Sequence, residues 1–188
     1  MPVLGIFASQ ITGKLYAPTG SMYHISTTTL STATASVTFS SIPADYTHLQ
    51  VRCISKSSYT TGTVDTVRAT FNSDSAGNYS YHFLRGSGSA ASADNDVSVT
   101  SLFIGNQANS GSGMTSIFGA GVIDILDYAN TNKYKTIRTL CGYDSNGDGR
   151  ILLSSSNWRS TSAITSVSFT MSNGNFATDT SFSLYGVK

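Results

Sequence analysis

Apolar and polar positions alternate with a period of two along most of the chain, the spacing of strands that bury one face. The organising stretch is residues 117–141, IFGAGVIDILDYANTNKYKTIRTLC, which predicts two strands joined by a polar turn at 128–132. Val122 and Leu126 fall on one face of the first strand and Ile123 and Ile125 on the other, so the expectation is a central strand buried on both sides. Gly119 and Gly121 share the face of Ile123, where missing side chains admit a close approach by the facing sheet or by a neighbouring subunit. Asp124 is expected to bond across strands or across such a boundary, and the three together are candidate subunit-interface residues.

The same alternation recurs on either side. Val37 and Phe39 share a face, then Pro43 and Asp45 make a turn, and Leu49, Val51 and Cys53 line one side of a strand with Gln50 and Arg52 opposite. Val67, Ala69 and Phe71 repeat the pattern, and residues 79–85 carry a further strand. Residues 86–96, GSGSAASADND, read as a flexible loop, 97–105 as a strand and 106–113 as a loop. Strands follow through Leu152, through Ile164, Val167 and Phe169, and in the terminal SFSLYGVK, with a loop over 172–180 before the last. Eight or so strands with Gly, Asn and Ser turns predict an all-β, antiparallel sandwich or jelly roll over residues 25–188. Residues 1–24 lack sustained alternation and read as an extended N-terminal arm whose Val3, Leu4, Ile6, Phe7, Ile11, Leu15 and Tyr16 bind a partner.

Composition agrees. All 10 acidic residues are Asp, Glu is absent, and Ser and Thr make up about 30% of the chain, a usage that favours strands and turns over helices. Charged residues are 11% and the net charge is +1, too little to neutralise a phosphate backbone, so nucleic acid is not an expected partner. The apolar run at the N-terminus has no preceding basic segment, and no stretch approaches the 18 or so apolar residues of a membrane span, so neither export nor a membrane is expected. Cys53 and Cys141 lie inside predicted strands. They read as two small buried side chains, with a disulfide between adjacent strands as the alternative.

Chemistry finds little purchase. His24, His48 and His82 stand apart from any Cys or carboxylate at ligand or triad spacing, and no nucleophile elbow, Walker loop or dinucleotide fingerprint is present. Neither catalysis nor a cofactor is expected. Asp144, Asn146, Asp148 and Gly149 match the first half of a calcium loop, but the bidentate acid expected eleven residues after Asp144 is Ser155. A plain turn is the reading, with calcium the alternative. Trp158 and Tyr143, with Tyr59 and Tyr79, are candidates for stacking on a sugar ring, against the alternative that they fill the core.

Four phrases, GIFASQITGKLYAPTG, VTFSSIPADYTHLQVR, VIDILDYANTNKYKTIR and FSLYGVK, spread over most of the chain, resemble a group of small virion structural proteins of tailed bacteriophages. The resemblance implies a jelly-roll-like module built into the particle as a homotrimer, and it carries over no catalytic residue. The function expected is therefore a non-enzymatic capsid decoration, or cement, protein that binds the major capsid protein and stabilises the head shell. A tail-fibre or receptor-binding module gripping host glycans through the loops at 86–96, 106–113 and 172–180 is the alternative.

Overall fold

The computed structural model describes residues 20–108, 114 and 116–188. The candidate arm residues, Val3 to Tyr16, lie outside them. Among the described residues the secondary structure is twelve strands and no helix: β1 Met22–Thr29, β2 Ser36–Phe39, β3 His48–Ser55, β4 Val64–Phe71, β5 Tyr79–Gly86, β6 Ala91–Val99, β7 Leu102–Ala108, β8 Gly119–Leu126, β9 Lys135–Asp144, β10 Gly149–Trp158, β11 Val167–Met171 and β12 Ser181–Val187. Every pairing is antiparallel.

Two sheets result, one of eight strands in the order β1-β12-β3-β8-β9-β10-β5-β6 and one of four in the order β2-β11-β4-β7. Setting aside the two hairpins β5-β6 and β9-β10, the remaining eight strands counted along the chain stack as 1-8-3-6 over 2-7-4-5. That winding is the jelly roll, two Greek keys closed face to face. The two hairpins are insertions, and both add to the same edge of the larger sheet, beyond β8.

The core between the sheets is built by the alternation the sequence displays. Leu49, Val51, Ile123, Ile125, Ile137, Phe182 and Leu184 point inward from the larger sheet, and Val67, Ala69, Phe71, Val167 and Phe169 meet them from the smaller one, all at most 1% exposed. Each of these side chains other than Ala69 contributes roughly 1.5–3 kcal/mol of transfer free energy. Phe169 stacks on Phe182 at 4.8 Å between ring centres, joining the sheets at mid-core.

Four strands cannot cover eight by lying parallel to them. Instead β7, the edge of the smaller sheet, packs across β8, β9, β10 and β5 and closes the inner face of the insertion. Phe103 of β7 stacks on Tyr81 at 5.3 Å and on Phe83 at 4.8 Å, with Leu152 and Cys141 beside them. This approach needs small residues. Gly105 sits at a bulge in the β4-β7 pairing with φ +151, and a Cβ there would overlap Cys141 Sγ.

Gly119 and Gly121 serve the same approach from below, which corrects their assignment to a subunit boundary. Both are on the buried face, where a Cβ on Gly119 would overlap Gln107 Oε1 of β7 and one on Gly121 would lie 3.1 Å from Cys53 Sγ and 3.3 Å from Cys141 Cβ. At Gly119 the facing sheet comes close, and at Gly121 the cysteine side chains of the flanking strands β3 and β9 do.

Other expectations shift in detail. Residues 86–96 are not a loop: a turn over 87–90 leads into β6, an edge strand paired only with β5 and exposed along nearly all of its length, which explains its polar composition. β1 begins at Met22, so the sheet takes in residues 22–24 of the expected arm. The turn after β8 is less polar than it reads, because Tyr128 is fully buried with its hydroxyl donating to the Pro43 carbonyl. The strand β8 is central but buried on one side only, since Val122 is 37% exposed.

Replacing Gly121 by Val would force two methyl groups against the thiols of Cys53 and Cys141. The expected cost is about 1–3 kcal/mol, read as a lower midpoint in thermal or urea unfolding, and an unchanged midpoint would contradict the packing described.

Candidate interaction surface

Side chains at alternate positions of the eight-stranded sheet face away from the core, and the register lines them up in rows across the strands. One row runs Ile54, Ala120, Gly142, Ile151, Gly86, Ala91, from β3 through β8, β9, β10 and β5 to β6. The next runs Arg52, Val122, Leu140, Leu153, Leu84, Ala93. Apart from Arg52, both rows are apolar or small. They expose Ile54 (56%), Leu140 (51%), Ile151 (61%), Leu153 (49%) and Leu84 (56%) to solvent.

The third row changes character. Gln50, Asp124, Arg138, Ser155, His82 and Asn95 lie side by side, with Gln50 Nε2 donating to Asp124 Oδ1 at 2.9 Å and Arg138 Nη2 to Asp124 Oδ2 at 3.2 Å. Asp124 thus bonds across strands within one chain. The outer face is therefore split into an apolar half at the end carrying the turns 87–90 and 145–148, and a polar half beyond it.

Because Gly142 and Gly86 lack side chains, the first row is a trough rather than a ridge. Ile54 and Ala120 border it on one side and the β9-β10 turn on the other, and the open depression has a volume of about 1020 Å³. With strands about 4.8 Å apart and two residues rising about 6.8 Å, two rows over six strands cover on the order of 350 Å². A contiguous apolar patch of that size on a monomer is commonly an interaction site.

Elsewhere, polar groups that look like chemistry are consumed in structure. The Asp65 carboxylate is 2% exposed and accepts hydrogen bonds from Ser57 Oγ (2.6 Å), the backbone N–H groups of Thr66, Asn173 and Gly174, and Asn173 Nδ2, tying the 172–175 loop to β4. Lys135 is fully buried. Its ammonium donates to the carbonyls of Asn130 (2.6 Å), Lys133 (3.1 Å) and Thr161 (3.1 Å), and burial lowers its pKa. All three protons are engaged, so it acts as a clasp on two loops rather than as a nucleophile.

Trp158, Tyr143 and Tyr79, three of the four aromatic candidates for sugar stacking, are core residues, which corrects their assignment. Trp158 is 2% exposed, lies parallel to Tyr79 at 6.4 Å and edge-on to Phe71 at 5.5 Å, and donates its indole N–H to Asp74 Oδ2 at 2.7 Å. Burial opposes the charge on Asp74, but hydrogen bonds from Asn78, Trp158 and the Ala76 N–H hold its carboxyl below the usual range. Tyr143 is 6% exposed and packs with Met114. Neither ring offers a free face to a ligand.

The segment Asp144, Asn146, Asp148 closes a β-hairpin. Asp144 pairs with Gly149, its Oδ1 accepts the Asn146 N–H at 2.7 Å, Ser145 N–H donates to the Asp148 carbonyl at 2.7 Å, and Asn146 and Gly147 take positive φ of 57° and 125°. Asp144 here folds its own turn. Among the described residues no group of three or more His, Cys, Asp or Glu side chains is placed to hold a metal ion.

Cys53 and Cys141 are free thiols. They sit on β3 and β9 with β8 between them, about 9.6 Å apart by strand spacing, beyond the reach of a disulfide. A comparison with known proteins finds no matching family model, no matching curated protein and no matching solved structure.

Burial pushes the thiol of Cys53 up to about 12 and that of Cys141 to about 11, from an ordinary value of 9.0. The folded state holds these protons where the unfolded state releases them, so the stability they confer is complete below about pH 9 and is lost as pH rises through 11 to 12. The native protein is expected to leave a thiol reagent unreacted at pH 8 and to titrate two thiols on unfolding. Rapid reaction of the folded chain would contradict the burial.

Proposed function

We propose that this chain is a non-enzymatic structural subunit of a bacteriophage particle, and that it decorates the capsid shell. The observation that carries the reading is the apolar half-face of the larger sheet. Apolar side chains at about half exposure, aligned in two adjacent rows, cost nothing in a surface that becomes covered and invite aggregation in one that does not. A subunit that spends its working life in an assembly fits that pattern.

The four sequence phrases that resemble tailed-phage virion proteins support the same reading and supply its setting. Three of them fall within the described sheets: residues 37–52 run through β2 into β3, residues 122–138 run from β8 into β9 and carry Val122 of the apolar half-face, and residues 182–188 run along β12 between β1 and β3. Asp65, Lys135 and Asp144 are bonded into loops and turns, which favours a binding role. Receptor binding at the tail is the less favoured alternative, because its proposed stacking residues, Trp158 and Tyr143, are buried.

Leu140 and Ile151 are more than half exposed, so Leu140→Glu and Ile151→Glu are expected to shift the folding midpoint by less than about 1 kcal/mol. Both should abolish incorporation into particles, measured as the amount of the chain co-sedimenting with purified virions. Normal incorporation of both variants would overturn the assembly reading. Deleting residues 1–20 should leave a soluble, cooperatively folding domain, because the core described lies wholly within β1–β12; an unfolded product would show that the arm is core.

A further inference from the structure

In plan the apolar half-face is a strip two rows deep and six strands long, on the order of 350 Å². A strip of that shape fits an extended segment. The trough follows the first row, low at Ala120, Gly142 and Gly86 with Ile151 standing between the two glycines, and Val122 and Leu140 of the second row run along its side, which suits an extended segment laid across the sheet against both rows.

The chain carries such a segment. Residues 1–19 hold eight large apolar side chains, Met1 together with Val3, Leu4, Ile6, Phe7, Ile11, Leu15 and Tyr16, and a single charged one, Lys14. Fully extended, they reach about 60 Å. From Met22 on β1 to the middle of the trough is about 28 Å, four strand spacings across and three rows along, so length permits the segment to reach a trough on its own subunit or on another.

Direction separates the two. Met22 pairs with Val187, and Val187 with His48, which places the start of β1 at the polar end of the sheet. The chain is held in line there by the Lys188 N–H donating to the Ser21 carbonyl at 3.0 Å and by the Lys188 ammonium over the Tyr23 ring at 5.3 Å. It therefore points away from the apolar rows. To reach its own trough it would have to reverse and cross the Gln50–Asp124–Arg138 row, a reversal that the trough of a second copy beyond that end would not require.

We infer that residues 1–19 of one copy lie in the trough of a neighbouring copy, so that exchanged arms join the subunits. The inference rests on reading the half-face as an assembly surface. The arm that the sequence marks for partner binding and the surface that the fold leaves open then become two halves of one contact.

Sedimentation velocity of the full chain, of Phe7→Glu, of Leu140→Glu and of an equimolar mixture of the two variants tests it, with circular dichroism confirming that each is folded and Ile151→Glu as a second trough variant. The wild-type chain should sediment as an oligomer and each variant alone at 19.8 kDa. The mixture should recover a larger species, because the intact arm of the Leu140→Glu chain meets the intact trough of the Phe7→Glu chain. A monomeric wild type, or no recovery on mixing, overturns arm exchange. If Phe7→Glu assembles normally while Leu140→Glu does not, the trough takes another occupant, and the inference fails while the assembly reading stands. If both variants assemble normally and also enter particles, both fall.

Discussion

The contact on which the rest of this protein depends is the seating of β7 on β8 and β9. One four-stranded sheet faces one of eight strands, and the inner side of the inserted hairpins stays dry only because β7 crosses them. Gly105 and Gly121 make that crossing possible by leaving room for Cys141 between the sheets. Phe103 then reaches Tyr81 and Phe83, and the aromatic stack anchors β5 to the smaller sheet. Without that seating β9, β10 and β5 would have two open faces beyond Ile137, Trp158 and Tyr79, and a sheet extension with no covered side does not hold.

Extending the sheet has a consequence for its outer surface. The jelly roll proper contributes Ile54 and Val122 to the apolar half-face, while Leu140, Ile151, Leu153 and Leu84 all come from the inserted hairpins. The packing of β7 on the inside thus holds in place, on the outside, the side chains proposed to meet a neighbour. The polar row of Gln50, Asp124 and Arg138 marks where that surface stops.

Much of the fold is legible in the sequence because period-two alternation survives in β3, β4, β8, β9 and β12. The jelly-roll winding itself is not, since it depends on which strands meet over long separations. Only the end of β6, residues 97–99, falls within an expected strand, because an edge strand exposed along its length has no apolar face to display, and the Ser and Thr residues of β1 likewise show no apolar alternation. The glycines at 119 and 121 declared a close approach without saying what approaches; the answer, Gln107 and the two thiols, is a tertiary fact. Val122 and Leu126 opposite Ile123 and Ile125 looked like burial on both sides, since apolar composition cannot distinguish a covered face from one awaiting a partner. That same ambiguity hid the interaction surface, whose only signals were apolar residues at the outward positions of neighbouring strands. Trp158 was legible as an aromatic that either stacks on a ligand or fills the core, but its partner Asp74 lies far away in sequence.

Electron cryo-microscopy of an intact particle carrying this chain tests the central claim most directly. The account predicts density on the capsid lattice, at three-fold or quasi-three-fold positions, with the face of Leu140, Ile151 and Leu153 covered by protein. Density at the tail tip or on a fibre with that face open to solvent would contradict it.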